Sequence, residues 1–416
     1  MKIVVLGAGV AGVASAWYFW RDGHEVTVLE RNEGVALETS FANGGQLSYS
    51  YVAPLASPSV IPKIPPWLLR RDSPLRFTPA VDLEQWRWIL EFLAACNAKT
   101  ADDTTQRLLR LAFYSRSLMH ELVGANAMDF GYVQNGKLVV HTERPSFESA
   151  RRLMEYQRTL GAEQEALDAR RCVEIEPALE DMAPRIAGAI YTPSEDAGDC
   201  YKFCNELKRL MTSGPNPVRY RFGVEIQRLL AWHGKLMGVE TSHGVLEGDA
   251  YVLALGTNAP HLLKALGIRV PVYPLKGYSL SLPIRDERGA PRISVTDYKR
   301  KVVYARLGNE LRVAGMADLS GRSAVIDVER VGQLAAEARA AFPRASDFGS
   351  LGPWCGMRPA TPRGTPVLGG TPFANLWLNV GHGALGFTLA LATGRILADL
   401  AAGKAPALAL DGFQLH

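Results

Sequence analysis

Residues 1–30 read MKIVVLGAGVAGVASAWYFWRDGHEVTVLE, and this stretch decides the fold. Lys2 to Leu6 is a short, apolar, β-branched run that suits a strand buried on both faces. Gly7, Gly9 and Gly12 then spell G-x-G-x-x-G and open a helix-length segment, Val10 to Arg21. Asp22-Gly23 stops that helix, and Glu25 to Leu29 alternates as a second strand ending at Glu30. Gly7 makes the tight turn, Gly9 lets the backbone approach a pyrophosphate, and Gly12 lets the helix pack closely on the sheet. The helix N-terminus offers N–H groups and partial positive charge to that pyrophosphate. Glu30 supplies a carboxylate for a ribose 2′-OH. Strand, helix and acid stand where the motif requires them, so the unit reads as a site for an adenine dinucleotide. An acid at position 30 argues against a 2′-phosphate, which leaves FAD or NAD.

Around this unit the composition is that of a folded globule, 47% hydrophobic and 21% charged over 416 residues. That length accommodates two domains, or one with a cap. A net charge of +4 and a pI of about 8.7 suit an anionic substrate or membrane surface and are too weak to imply nucleic acid. Five scattered cysteines make no disulfide framework, and Cys200 and Cys204 lack the second pair of a zinc site, so no metal is expected. They read as buried thiols of a reduced, intracellular protein. No run of eighteen apolar residues predicts a membrane-spanning helix, and the absence of a charged leader predicts a protein that is not secreted.

Further along, Ser40-Phe41-Ala42-Asn43-Gly44-Gly45-Gln46 is rich in small and amide residues, as suits backbone passing close to a ligand. From Tyr51 to Pro79 the chain is proline-punctuated, apolar and basic, and cannot form one long helix. It reads as a surface loop or as a membrane-contact patch centred on Trp67, Leu68, Leu69, Arg70 and Arg71. Leu83 to Ala98 and Thr105 to Val123 carry helical spacing, and Phe130 to His141 reads as a hairpin turning at Asn135-Gly136. Asp249 to Pro260 is an apolar strand ending in Gly256, as expected beside the dinucleotide, and Val325 to Phe342 is an amphipathic helix.

A second glycine-rich strand–turn–helix closes the chain: Leu376 to Val380, then Gly381-His382-Gly383-Ala384-Leu385-Gly386, then Phe387 to Leu400. A flavin needs such a second helix terminus, because its pyrimidine C2=O becomes electron-rich on reduction and helix N–H groups stabilise that charge. A nicotinamide has less use for it. The cofactor expected is therefore FAD.

With those residues in view, the chain resembles the D-amino acid dehydrogenase small-subunit family, within the FAD-dependent D-amino acid oxidase, glycine oxidase and sarcosine oxidase group. The resemblance spans nearly the whole chain. It rests on VVLGAGVAGVASAWY at the start, ETSFANGGQ at 38–46, PVYPLKGYSLSLPI at 271–284, GMRPATPRGTPVLG at 356–369 and NVGHGALGFTLALATGR at 379–395. It implies an α/β protein with a discontinuous Rossmann-like FAD-binding domain, assigned to 1–80, 200–260 and 350–416. A substrate domain built on an antiparallel sheet takes 81–199 and 261–349. It also implies a peripheral enzyme on the cytoplasmic face of a bacterial inner membrane, passing electrons to a quinone. The chain departs from the family in having Gly44 for alanine, and Ser48-Tyr49-Ser50-Tyr51 for S-P-G-Y.

The reaction implied is oxidation of a Cα–H bond beside an amine, with hydride passing to flavin N5 and hydrolysis giving a 2-oxo acid and ammonia. It requires a cation for the carboxylate, a pocket that orients Cα–H and a neutral amine; a protein base is not essential. Arg358, in the family's G-x-R-P block, has the guanidinium fork that matches a carboxylate. Tyr278 and Tyr51 are candidates for carboxylate bonding or for lining the pocket, and His382 is a candidate donor near the flavin. The candidate cofactor contacts are Ile3, Gly7, Gly9, Val10, Ala11, Gly12 and Trp17 in the first unit, with Glu30 and Arg31 at its acidic end. Ser40, Asn43, Gly44 and Gln46 join them from the loop, Gly256 from the apolar strand, and Gly381, Gly383, Gly386, Phe387 and Thr388 from the last turn. Small neutral D-amino acids such as D-alanine are the leading substrates. The alternatives are a D-proline or D-hydroxyproline dehydrogenase, a glycine or sarcosine oxidase, and a non-catalytic FAD-binding subunit.

Overall fold

The protein is represented by a computed structural model in which residues 1–64 and 73–415 are described. Lys2–Leu6 is a strand, Val10–Arg21 a helix and Glu25–Leu29 a strand parallel to the first. The apolar strand Ala250–Leu253 adds in parallel on the other side of Lys2–Leu6, and Leu376–Val380 adds in parallel beyond it. Strands buried on both faces read as near-continuous apolar runs, and all four residues of Ala250–Leu253 are buried. Arg219–Arg221 and Val367–Gly370 form the edges, the latter antiparallel, and complete a six-stranded sheet.

The helices Val10–Arg21, Cys200–Thr212 and Gly386–Ala401 share one core on one face of this sheet. The other face carries a three-stranded antiparallel sheet, Ile226–Trp232, Lys235–Thr241 and Gly244–Leu246, with the helix Ala259–Lys264. Gly383–Ala401 is apolar enough to cross a bilayer by length and composition. Its central residues Leu389, Leu391, Ile396 and Leu397 are instead fully buried in the protein core.

The second sheet has nine strands. Eight follow in the order Pro353–Ala360, Tyr273–Pro283, Glu310–Leu319, Val302–Leu307, Ser294–Asp297, Lys137–His141, Gly188–Thr192 and Glu165–Leu167, and Leu75–Phe77 pairs with Glu310–Leu319. The helices Ala169–Ile175 and Val328–Ala341 cover its outer face. Its inner face looks across a cavity toward the six-stranded sheet.

The sheets divide the chain differently from the expected boundaries in three places. Leu75–Phe77 and Pro353–Ala360 belong to the nine-stranded sheet, because both pair with its long central strands. The helix Ala98–Ala125 packs its buried row, including Leu108, Leu111, Met119 and Leu122, into the dinucleotide-side core. Asn135-Gly136 also makes no hairpin. Lys137–His141 takes Ser294–Asp297 and Gly188–Thr192 as its partners, and Val133 bridges Ala197 instead. A strand paired along both edges has no free edge for a hairpin mate. The membrane-contact patch at Trp67, Leu68, Leu69, Arg70 and Arg71 lies outside the described residues.

Candidate active site

A cavity of about 2080 Å³ runs from the Gly7–Val10 turn to the inner face of the nine-stranded sheet. Pockets for drug-sized ligands run to roughly 300–1,000 Å³, so this larger space fits a dinucleotide with room for a small substrate beside it.

At the nucleotide end Gly7 has φ +99°, and a Cβ there would lie 2.9 Å from the Ala254 carbonyl oxygen. A Cβ at Gly12 would collide with the Gly7 carbonyl, so this glycine sets how closely helix meets strand. Glu30 accepts the Ala8 N–H at 2.9 Å through Oε2, and the Asn32 N–H at 2.9 Å through Oε1. Its carboxylate is thereby fixed at the strand end and borders the cavity. Arg31 borders it too but pairs with Glu38, its Nε 2.6 Å from Oε1. Ser40 Oγ accepts the Val10 N–H at 3.1 Å and caps the helix. Gly9, Val10, Ala11 and Gly256 line this end.

Four expected contacts stand behind the wall. Ile3 points into the helix-side core, Trp17 lies two turns along the helix within that core, and Gly12 is occupied with packing. Gly381, at φ +82°, has Thr361 against the position a Cβ would take.

In the middle of the cavity, the loop from Ala42 to Ser48 crosses the second sheet. The Ala42 carbonyl accepts from Ser279 Oγ at 2.6 Å, and the Asn43 carbonyl accepts from Arg312 Nη1 at 2.9 Å. Asn43 Oδ1 accepts the Gly45 N–H at 3.0 Å, so this side chain holds the loop. Gln46 Nε2 donates to the Val295 and Tyr304 carbonyls at 3.3 and 3.2 Å, which ties it to the sheet as well. At Gly44 a Cβ would stand 2.8 Å from Val303 Cγ2, so the alanine usual in the family requires Val303 to move. Facing this loop are Gly383, Gly386, Phe387 and Thr388. His382 is 5% exposed, and its Nε2 lies 3.3 Å from Thr393 Oγ1. Burial pushes its pKa down to about 4, so the ring is neutral and engaged with its own helix. Buried Asn379 lines the same wall, its Oδ1 without a hydrogen-bond partner among the described residues. An orphaned acceptor, a dinucleotide turn and a second glycine-rich helix entrance together fit FAD.

At the sheet end Arg358 lies on Pro353–Ala360, which pairs with Tyr273–Pro283. Gly277 and Gly356 face each other in that register. A Cβ on Gly277 would collide with the guanidinium, and one on Gly356 with the Trp354 ring. Two glycines thus make room for one cation and one aromatic at the cavity wall. Arg358 Nη1 donates to the Met316 carbonyl at 2.7 Å, and Met316 turns left-handed (φ 58°) within its strand. Burial lowers the Arg358 pKa to about 10 while the Asp318 carboxylate opposes that, so the group is a cation at neutral pH.

Tyr278 borders the cavity, but its side chain packs in the core behind the sheet, with its hydroxyl donating to Asp318 Oδ2 at 3.0 Å. Asp318 also binds Arg330 and Arg76, so Tyr278 belongs to a buried charge network and is not free to hold a carboxylate. Tyr51 lines the cavity, its ring centroid 4.4 Å from Lys137 Nζ. Lys137, Ser48, Trp354 and Met316 are site residues that sequence reasoning missed. A signal existed only for Lys137, a charge at the head of the otherwise apolar Leu138-Val139-Val140. Among the described residues no cluster of three His, Cys, Asp or Glu side chains forms a metal site, and all five cysteines are free and buried.

Comparison with known proteins matches residues 2–400 to the family described as FAD dependent oxidoreductase. The chain is 50% identical to D-amino acid dehydrogenase 2 of Ralstonia nicotianae, over 100% of both chains. It is 44% identical to D-amino acid dehydrogenase of Paramagnetospirillum magneticum, covering 99% of this chain and 97% of that one. Among solved structures it resembles glycine oxidase from Geobacillus kaustophilus (TM-score 0.79, 21% identity, 100% and 98% covered). L-proline dehydrogenase from P. horikoshii has the same fold (TM-score 0.76, 17% identity, 100% and 96% covered).

Proposed function

This chain belongs to the FAD dependent oxidoreductase family, and from that premise we propose that it oxidatively deaminates D-amino acids, small neutral ones such as D-alanine first, to 2-oxo acids and ammonia. FAD, when bound, accepts the hydride from Cα. The protein's part is binding and orientation. Arg358 carries the reading: a buried guanidinium at the cavity wall, with one of its five donors committed to Met316. Its fork holds the substrate carboxylate, and the wall of Trp354 and Tyr51 with the loop 42–48 fixes which Cα–H faces the cofactor. A bound, oriented substrate needs no protein base.

The acceptor we propose is a quinone, met at the cytoplasmic face of a bacterial inner membrane. Supporting this, Leu83, Trp86, Leu90 and Leu93 stand exposed along one side of the helix Leu83–Ala95, and Leu55 and Ile61 are exposed too. A soluble surface rarely carries such a row without a partner. The test is product formation with a water-soluble quinone. Pyruvate and ammonia should appear from D-alanine and not from L-alanine. No turnover across a panel of D-amino acids, D-proline, glycine and sarcosine would contradict the reading. Turnover with oxygen but no quinone would overturn the acceptor.

A further inference from the structure

The strand Lys137–His141 brings into the cavity wall a lysine that the proposed reaction does not use. Lys137 and Val139 line the cavity, while Leu138 and Val140 pack into the core behind. Lys137 is 2% exposed. Its Nζ donates to Ser48 Oγ at 2.7 Å and stands over the Tyr51 ring. The Ser48 N–H in turn donates at 3.0 Å to Oγ1 of Thr388, in the first turn of Gly386–Ala401. A line of contacts therefore joins a buried ammonium to the helix entrance where a flavin pyrimidine would gather charge.

Glu195 is buried beside this line. Its Oε2 accepts the Tyr49 N–H at 2.7 Å and its Oε1 accepts the Ser50 N–H at 2.6 Å. Burial pushes Lys137 down to about 8 and Glu195 up to about 7, and each charge pulls the other back. Next to Glu195, Asp196 is held by the Tyr49 and Tyr132 hydroxyls and by His120. The chain's departure from the family falls here. A proline at position 49 has no N–H, so Tyr49 gives Glu195 a hydrogen bond that the family's S-P-G-Y pattern cannot. A bonded carboxylate keeps its charge more readily.

We propose that Lys137 is a positioning residue for flavin charge: acting through Ser48 and Thr388 it favours the reduced, anionic cofactor, and Glu195 opposes it. The proposal rests on the FAD reading above. A cation in a water-poor site acts more strongly than at a surface. In this chain the balance is set by two buried side chains of opposite sign that both hold the loop 48–50.

The test is the midpoint potential of FAD in the purified holoprotein, read against a reference dye, with sulfite affinity as a second spectroscopic readout. Lys137→Met should lower the potential and weaken sulfite binding at least tenfold, Lys137→Arg should stay near wild type, and Glu195→Gln should raise the potential. Ser48→Ala should lower it by less than Lys137→Met. The double variant Lys137→Met/Glu195→Gln should lie closer to wild type than Lys137→Met. Ser48→Ala and the double variant leave neither of the pair as a lone charge, so they carry the test even if Lys137→Met fails to fold. Unchanged potential and sulfite affinity across these variants, with altered KM only, would overturn the proposal and assign Lys137 to the substrate pocket. Glu195→Gln shifting the potential in the same direction as Lys137→Met would overturn it too. A wild-type protein that binds no FAD would fail earlier and would sink the FAD reading itself.

Discussion

In the proposed function, Arg358 is the residue on which substrate binding turns. Arg358→Ala should lower kcat/KM by about two to three orders of magnitude, the scale of roughly 2–5 kcal/mol for a truncated buried charge pair. Most of the loss should appear in KM, with the flavin spectrum intact. An unchanged KM would place the carboxylate elsewhere. Arg358→Lys keeps the charge but loses the fork, and should recover only part of the loss. The place of Arg358 at the cavity wall was legible because a particular block, Gly-Met-Arg-Pro, surrounds it. Tyr278 borders the cavity as one of its two expected roles has it, but its hydroxyl points away for a geometric reason. On a strand, one residue decides between faces, and Gly277 holds the cavity face beside Arg358 while Tyr278 turns to Asp318. His382 and His141 contribute to the pH dependence, and Glu195, which burial raises to about 7, opposes them. Burial pushes His382 and His141 down to about 4. Between about pH 4 and pH 6.5 the unfolded chain binds protons at these two histidines that the folded chain does not, so their contribution to stability falls as pH falls through that window. Melting temperatures should show this decline, and His382→Gln should make it shallower; an identical slope would contradict the assignment.

At the scale of elements, the approach of the first and last helices sets the cofactor site. A Cβ at Gly394 would stand 2.7 Å from the Ala14 carbonyl oxygen. Gly394→Ala should therefore lower the melting temperature through about 1–3 kcal/mol of overpacking, and should loosen FAD as the helices separate. A variant as stable as wild type and equally yellow would show that the helices have room to spare. The outward row of Leu83–Ala95 makes a separate prediction. Changing Leu83, Leu90 and Leu93 to serine should leave the melting temperature within a degree or two, since these side chains pack on little, but should release the protein from membrane fractions. Retention in the membrane would remove this helix from the proposal. Helices and parallel strands were legible here because their apolar periods are long and unbroken. The Asn135-Gly136 turn misled because a turn signal states where a chain can reverse, and cannot say that two distant strands will claim the next residues.

At the scale of the molecule, the six-stranded sheet follows from two glycine-rich strand–turn–helix units that stand at opposite ends of the sequence and close on the same cofactor. The resemblance anticipated a second, antiparallel sheet; the sheet is mixed, because Ser294–Asp297 runs parallel to Lys137–His141 and Leu75–Phe77 parallel to Glu310–Leu319. Its edges were harder to see: Pro353–Ala360 joins that sheet although the strands that follow it, Val367–Gly370 and Leu376–Val380, join the other. Cross-strand partners such as Gly277 and Gly356 are matched only once the chain has folded. The cavity between the sheets was legible at its nucleotide end, where the backbone motif is the site. It was least legible at Lys137 and Glu195, whose roles arise from burial. The central claim is that this cavity holds FAD beside a D-amino acid. The most direct measurement is the visible spectrum of the purified protein, followed without oxygen while D-alanine or L-alanine is added. A flavin spectrum that bleaches with D-alanine and stays unchanged with L-alanine is the predicted result. A flavin that no D-amino acid reduces, or a protein that remains colourless after reconstitution with FAD, would contradict it.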